Sequence, residues 1–256
     1  MSSETPALKL GAAIYLRSRS PLRLAAFVSD FKKRWPEESL IDEGQEGDCA
    51  FFAVGDSRVA IEVRNEPIPQ AVTDAVLPST RRHWPSAETE LALHLAHLKI
   101  ATTPQRGKEL GSASALTKIV AALLCVTDSI GVCWLNGPVL HPAQSFVGIA
   151  SEMFGAGVPP LMLWVGVHWK PEESLLHTKG LVQFDAPEIL IAQQKDPSPE
   201  WVEYLLEVAY YAMTSGKEIL DGETMDGPRG VLTIQSIRGS DYPSRKGLML
   251  VPARPN

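Results

Sequence analysis

"HTKGLVQFDAPEILI", residues 177–191, is the stretch on which the reading of this chain turns. A His, a Thr, a Lys and a Gly stand together, and acidic residues follow a few positions on. As a catalytic cluster it would make the chain an enzyme. As an extended run broken by a turn it is the corner of a β-sheet. In a strand, Thr178, Gly180, Val182 and Phe184 would share one face, and Lys179, Leu181 and Gln183 the other. Gly180 within a strand marks a bulge or a close backbone approach. Asp185-Ala186-Pro187 reads as a turn, and residues 188–191 resume an extended run. A catalytic Lys179 would need a partner that shifts its proton affinity, and the sequence names none. The residues therefore favour a strand–turn–strand corner.

Outward from this corner, "LMLWVGVHW" (161–169) precedes it as an apolar strand. Ser198-Pro199-Glu200 opens a helix, with a capping Ser and Pro at the first helical position. Trp201, Leu205, Val208, Ala209 and Ala212 form one face of that helix, and Gly216 ends it. "VLTIQSIR" and "GLMLV" are closing strands. Upstream, "SASALTKIVAALLCVTD" is a helix buried on most sides, "IGVCWLN" a strand, and "AQSFVGIASEMFG" a helix that stops at Gly155. The Leu-rich run 90–104 ends in a strand.

The N-terminal part reads βαββα. "AAIYLR" (12–17) is a buried strand, and Leu24, Phe27, Val28 and Phe31 recur at helical spacing from Pro21 to about Trp35. "CAFFAV" and "SRVAIEVR" flank Gly55-Asp56 as a hairpin, with Val59, Ile61 and Val63 on one face and Arg58, Glu62 and Arg64 on the wet one. "DEGQEGD" (42–48) reads as an acidic loop. A short helix falls near 69–77. The expected fold class is α+β (mixed α/β), in two lobes, each a small, mostly antiparallel sheet with helices on one face. The expected boundary is the polar, Pro-containing stretch at 80–90, giving an N-terminal lobe 1–85 and a C-terminal domain 86–256.

Composition excludes several classes. The chain has 256 residues, 45% hydrophobic and 21% charged, enough to bury a core without disulfides or metal. Cys49, Cys125 and Cys133 are scattered with no CxxC pair, and are expected to be buried, reduced thiols. The N-terminus lacks the basic start and apolar core of a secretory signal, and no run approaches the ~20 apolar residues of a membrane span. The expectation is a cytoplasmic protein. The net charge is −6 and basic residues fall in short, separated groups, which argues against direct nucleic-acid binding and for a basic partner protein.

Candidate chemistry is sparse. His94 and His97, with Glu90, would share a helix face and could hold a metal, but on a strand residues three apart diverge. "PQRGKELGSAS" (104–114) has its Gly-Lys in the wrong order for a phosphate loop. "DGETMDG" (221–227) gathers Asp221, Glu223 and Asp226 but lacks the length of a calcium loop, and reads as a solvated turn. No GxSxG is present. No catalytic residue, metal or cofactor is expected.

At the opening stretch the chain resembles the family known as domain of unknown function 4261. The resemblance rests on Thr178-Lys179-Gly180-Leu181, Phe184, Glu188, and Asp221-Gly222-Glu223-Thr224, with the "LMLWVGV" strand, over roughly 90–253. Asp185 departs from it, since Gly is common there. Family-like proteins with an added N-terminal lobe resemble immunity proteins paired with restriction-endonuclease-like nuclease toxins of type VI secretion. The resemblance implies a non-catalytic inhibitor that binds its cognate toxin in the cytoplasm, and leaves homo-oligomerisation open. The acidic groups Asp42, Glu43, Glu46 and Asp48, and Asp221, Glu223 and Asp226, would then face a basic toxin surface. The alternative is an enzyme or small-molecule binder with a cleft near Thr178, Lys179 and Glu188. A convergent polar pocket there would favour the alternative, and a flat acidic surface the inhibitor.

Overall fold

The computed structural model describes residues 9–20, 22–105, 107–192, 198–237 and 247–253. Parts of the sequence reading fall on the first eight residues, Pro21, Arg106 and Arg238, which lie outside the described residues. The fold class is α+β, as expected, with two open, largely antiparallel sheets among the described residues. The chain divides into two compact units, Met1–Trp164 and Val165–Asn256.

The first unit contains β1 (Leu10–Leu16), α1 (Leu24–Arg34), β2 (Leu40–Glu46), β3 (Cys49–Val54), β4 (Ser57–Arg64), α2 (Gln70–Asp74), α3 (Leu77–Thr80), α4 (Ala87–Leu91), β5 (Ala96–Thr102), α5 (Glu109–Val126), β6 (Ser129–Trp134), β7 (Val139–Pro142), α6 (Ala143–Gly155) and α7 (Leu161–Trp164). Its strands lie in the order β2-β3-β4-β5-β1-β6-β7, every pair antiparallel. β5 pairs with both β1 and β4, so strands from either side of residue 85 share one sheet. The stretch 80–90, expected to be a linker, is instead part of a packed layer. There α2, α3 and α4 cover one face of β1, β6 and β7, and Trp84, Leu91 and Leu77 pack on Ala13, Tyr15, Cys133 and Leu140. Tyr15 is fully buried in that layer and its hydroxyl meets Thr73 Oγ1 at 3.0 Å. Gly131 is required there, because a Cβ would come within 2.6 Å of both the Trp84 ring and the His141 carbonyl.

On the opposite face α5 is the core helix, flanked by α1 and α6. Its Ala and Leu positions are apolar on nearly every side, and Leu116, Ile119, Val120, Ala121, Ala122 and Leu123 are fully buried. By length and composition α5 could cross a membrane, which the count of apolar residues in the sequence had not anticipated; most of it is buried within the protein. Thr117 and Lys118, its polar positions, are satisfied inside. Trp164 Nε1 donates to Thr117 Oγ1 at 2.7 Å. Lys118 Nζ pairs with Glu38 and lies 5.4 Å and 5.0 Å from the Trp35 and Phe154 ring centres.

Three local expectations differ from the structure. The acidic stretch 42–48 is not a loop: most of it forms the edge strand β2, closed onto β3 by the turn at Gly47 and Asp48. The run 161–169 does not begin as a strand, because Pro159-Pro160 start one helical turn, α7, with Leu163 N donating to the Pro160 carbonyl. Cys125 is exposed at the end of α5 rather than buried, whereas Cys133 is buried and its thiol is pushed up to about 12 by burial.

The second unit contains β8 (Gly166–Lys170), β9 (Leu175–Lys179), β10 (Ile189–Ala192), α8 (Pro199–Thr214), β11 (Thr224–Gly227), β12 (Gly230–Ile237) and β13 (Gly247–Pro252), in the order β11-β12-β13-β10-β9-β8. Among the described residues only the β10–β13 pair is parallel, and the chain between these strands includes α8, as a parallel crossover demands. α8 buries Trp201, Leu205, Val208 and Ala209, as the helical spacing predicts, and packs on β9 and β10. Half of the expected acidic turn at 221–227 is the edge strand β11.

Candidate functional site

The corner between β9 and β10 gathers the residues that the sequence singles out. β9 extends through Lys179 and stops because Gly180 has φ 119°, a conformation that side-chain-bearing residues rarely adopt. The chain then winds through a short 3-10 turn, Leu181–Phe184, and Asp185 follows with φ 61°. The alternation expected for Thr178, Gly180, Val182 and Phe184 therefore breaks at Gly180: these residues do not share a strand face.

Glu188 closes the corner. Thr178 Oγ1 donates to Glu188 Oε2 at 2.6 Å, and Gly180 N–H donates to Oε1 at 2.7 Å. Val182 N–H reaches Oε1 at 3.4 Å. Ile189 N–H donates back to Thr178 Oγ1 at 2.9 Å, and Gln183 Nε2 donates to the Gly180 carbonyl at 2.6 Å. Thr178 is fully buried, and Glu188 is 8% exposed. A buried carboxylate is costly unless its oxygens accept hydrogen bonds, and here hydroxyl and backbone donors supply them. Leu181 is fully buried, and Lys179 points outward. Thr178, Gly180, Leu181 and Glu188 thus build one internal knot, and Lys179 stands outside it.

Two features lie beside the knot. An open groove of about 900 Å³ is lined by Phe184, Asp185, Pro187, Met213, Leu220 and Asp221, among others. Its lining does not include Thr178, Lys179 or Glu188. Behind the corner, His168 on β8 faces His177 on β9 across the strand pair, with ring centres 5.5 Å apart. Burial, and then the Lys179 charge, holds His168 down to about 4, so its imidazole is neutral at ordinary pH.

The acidic groups fall in both units. Every residue from Ile41 to Asp48 is exposed. Two of this group are engaged: Glu43 with Arg58 Nε at 2.5 Å, and Asp42, whose Oδ1 accepts from Gly44 N–H at 2.8 Å. In the second unit Asp221 accepts from Ser236 N–H at 2.6 Å and Glu223 from Leu220 N–H at 2.9 Å, so both carboxylates shape the loop. Asp226 is exposed on β11.

Glu90, His94 and His97 do not converge. His94 Nε2 accepts from Ile68 N–H at 2.7 Å and its Nδ1 donates to the Leu91 carbonyl at 2.5 Å. His97 Nδ1 meets the Glu66 carbonyl, and Glu90 accepts from Trp84 and Ser86. His141, which the sequence reading passed over, is 6% exposed and held down to about 3 by burial and by His83.

No curated protein and no solved structure matches this chain. The likeness read over 90–253 is found over a shorter span: residues 177–245, which begin at the Thr178–Glu188 corner, match the model of a domain of unknown function (DUF4261).

Proposed function

We propose that this protein is an immunity protein, which binds a cognate type VI secretion toxin, a nuclease, in the cytoplasm and neutralises it without chemistry of its own. The observation that carries the reading is the closure of the corner. Thr178 and Gly180 donate to the two Glu188 oxygens at 2.6 and 2.7 Å, and Glu188 is 8% exposed. A catalytic carboxylate needs a free oxygen within reach of a reacting atom. Polar residues that serve the fold suit a protein whose business is contact.

Exposed acid supports the same reading. Asp42, Glu46 and Asp48 project from the first unit and Asp226 from the second. Nuclease toxins must bring positive charge to a polyanion, and an acidic inhibitor competes for that surface. One observation favours a second reading, a small-molecule binder: the groove of about 900 Å³ beside Asp185 and Pro187. That volume falls within the range of ligand sites, and Asp185, Lys217, Glu218, Asp221 and Ser236 give the groove a partly polar lining.

Co-purification tests the proposal. Tagged protein, expressed with the product of the adjacent gene, is expected to retain that product through gel filtration as one complex. Elution of the two as separate species at micromolar concentration would contradict it.

A further inference from the structure

We infer that β2 is a docking edge, which takes an extended, basic strand of a partner protein as an additional antiparallel or parallel strand of the first sheet. The inference rests on the reading above for the partner's identity, a toxin.

The two edges of this sheet differ. β7, at one end, is buried at Val139, Leu140 and His141 and overlaid by α3, α6 and α7. β2, at the other, is exposed at every position from Ile41 to Glu46. An exposed edge offers unpaired N–H and C=O groups to any strand that can reach them. The turn at Gly47 and Asp48 makes Glu46–Cys49 the hydrogen-bonded closing pair of the hairpin, which turns the Gln45 N–H and C=O outward.

Charge decides who may dock. Asp42, Glu46 and Asp48 flank the edge, and a second copy of this chain would bring the same charges against them. Like charges directly opposite are unfavourable, so the edge rejects itself. A strand bearing Lys or Arg meets complementary charge instead. Ile41, 56% exposed, adds an apolar contact on the same face as Ala53. Glu43 occupies the bulge and is held by Arg58, and Asp42 Oδ1 accepts from Gly44 N–H at 2.8 Å, which leaves Glu46 and Asp48 to face the partner.

The test uses the full chain and two short capped peptides, one alternating Lys with Val and one alternating Glu with Val. Amide hydrogen exchange is followed residue by residue. The basic peptide is expected to slow exchange in Leu40–Glu46 by about tenfold or more, and the acidic peptide to leave it unchanged. Gln45→Pro removes an outward donor and should abolish the protection. Asp42→Lys with Glu46→Lys, which keeps every backbone donor, should reverse the peptide preference. Equal protection by both peptides, none by either, or protection mapped elsewhere overturns the inference. Protection by the basic peptide, in a protein that fails to retain or inhibit the adjacent gene product, would leave the edge standing and remove the toxin reading.

Discussion

Glu188 is the residue on which the second unit's corner depends. Its two oxygens accept from Thr178 and Gly180. Glu188→Ala leaves a hydroxyl and a backbone N–H without their acceptor, and is expected to cost about 2–4 kcal/mol in denaturant unfolding. Lys179→Ala, one residue from Thr178 but pointing out, should change stability by no more than about 0.5 kcal/mol. Gly180→Val should be destabilising for a backbone reason, since φ 119° strains any L side chain, by about 1–3 kcal/mol. The residue types of this knot are legible in the sequence as T-x-G-L followed by a Glu. Their mutual contact is not, because it forms only when the 3-10 turn brings position 188 back to 178 and 180.

His141 makes a second prediction at this scale. In the unfolded chain an imidazole takes up a proton below about pH 6.5. In the folded chain burial holds His141 down to about 3. Between these values the unfolded state binds more protons, so stability falls as pH falls, with a limiting slope of about 1.4 kcal/mol per pH unit. Above 6.5 the group has no effect, and His168 acts in the same direction in the second unit. Urea midpoints taken from pH 7 down to 4 should therefore decline, and His141→Phe should flatten the decline. A midpoint indifferent to pH in this window would count against a neutral, buried His141.

At the scale of elements, α5 shows how a core helix accommodates charge. Lys118 is 8% exposed, seated between Trp35 and Phe154 with Glu38 as its counter-ion. Removing one partner of such a pair strands the other, whereas an apolar replacement of similar length keeps the packing. Lys118→Ala is expected to cost about 2–4 kcal/mol by calorimetry, and Lys118→Met distinctly less. If the two variants melt alike, the ammonium and not its stem holds Trp35 and Phe154 against α5. Periodicity reveals α5, α6, α8 and the β3–β4 hairpin, because each carries a regular apolar pattern. It conceals β2, whose Asp, Glu and Gly disfavour a strand until β3 supplies the ladder. It conceals α7 as well: Leu-Met-Leu-Trp suits a strand by composition, and the preceding Pro pair turns it into a helix. β2 also carries a kinetic expectation. Neutralising Asp42, Glu46 and Asp48 should slow association with the toxin and flatten its salt dependence, with little effect on dissociation, as read by stopped-flow at several ionic strengths. An on-rate unchanged at low salt would place the docking surface elsewhere.

At the scale of the molecule, the chain is two units, each with its own sheet and its own helices, and the division at Trp164 and Val165 was hidden from the sequence. The polar stretch at 80–90 has the composition of a linker, yet Trp84, Ala87 and Leu91 anchor it as a second layer. A few large apolar side chains outweigh the surrounding polar ones because each buried one contributes about 1.5–3 kcal/mol. The described residues hold two open sheets, an internally satisfied corner at Thr178 and Glu188, and exposed acid on the edge strands β2 and β11. The direct measurement is a titration of the adjacent gene's toxin with the purified protein, with nucleic-acid cleavage as the readout. Cleavage should fall progressively to background as the protein is added, and the protein alone should cleave nothing. Cleavage that persists undiminished in an excess of the protein would contradict the account.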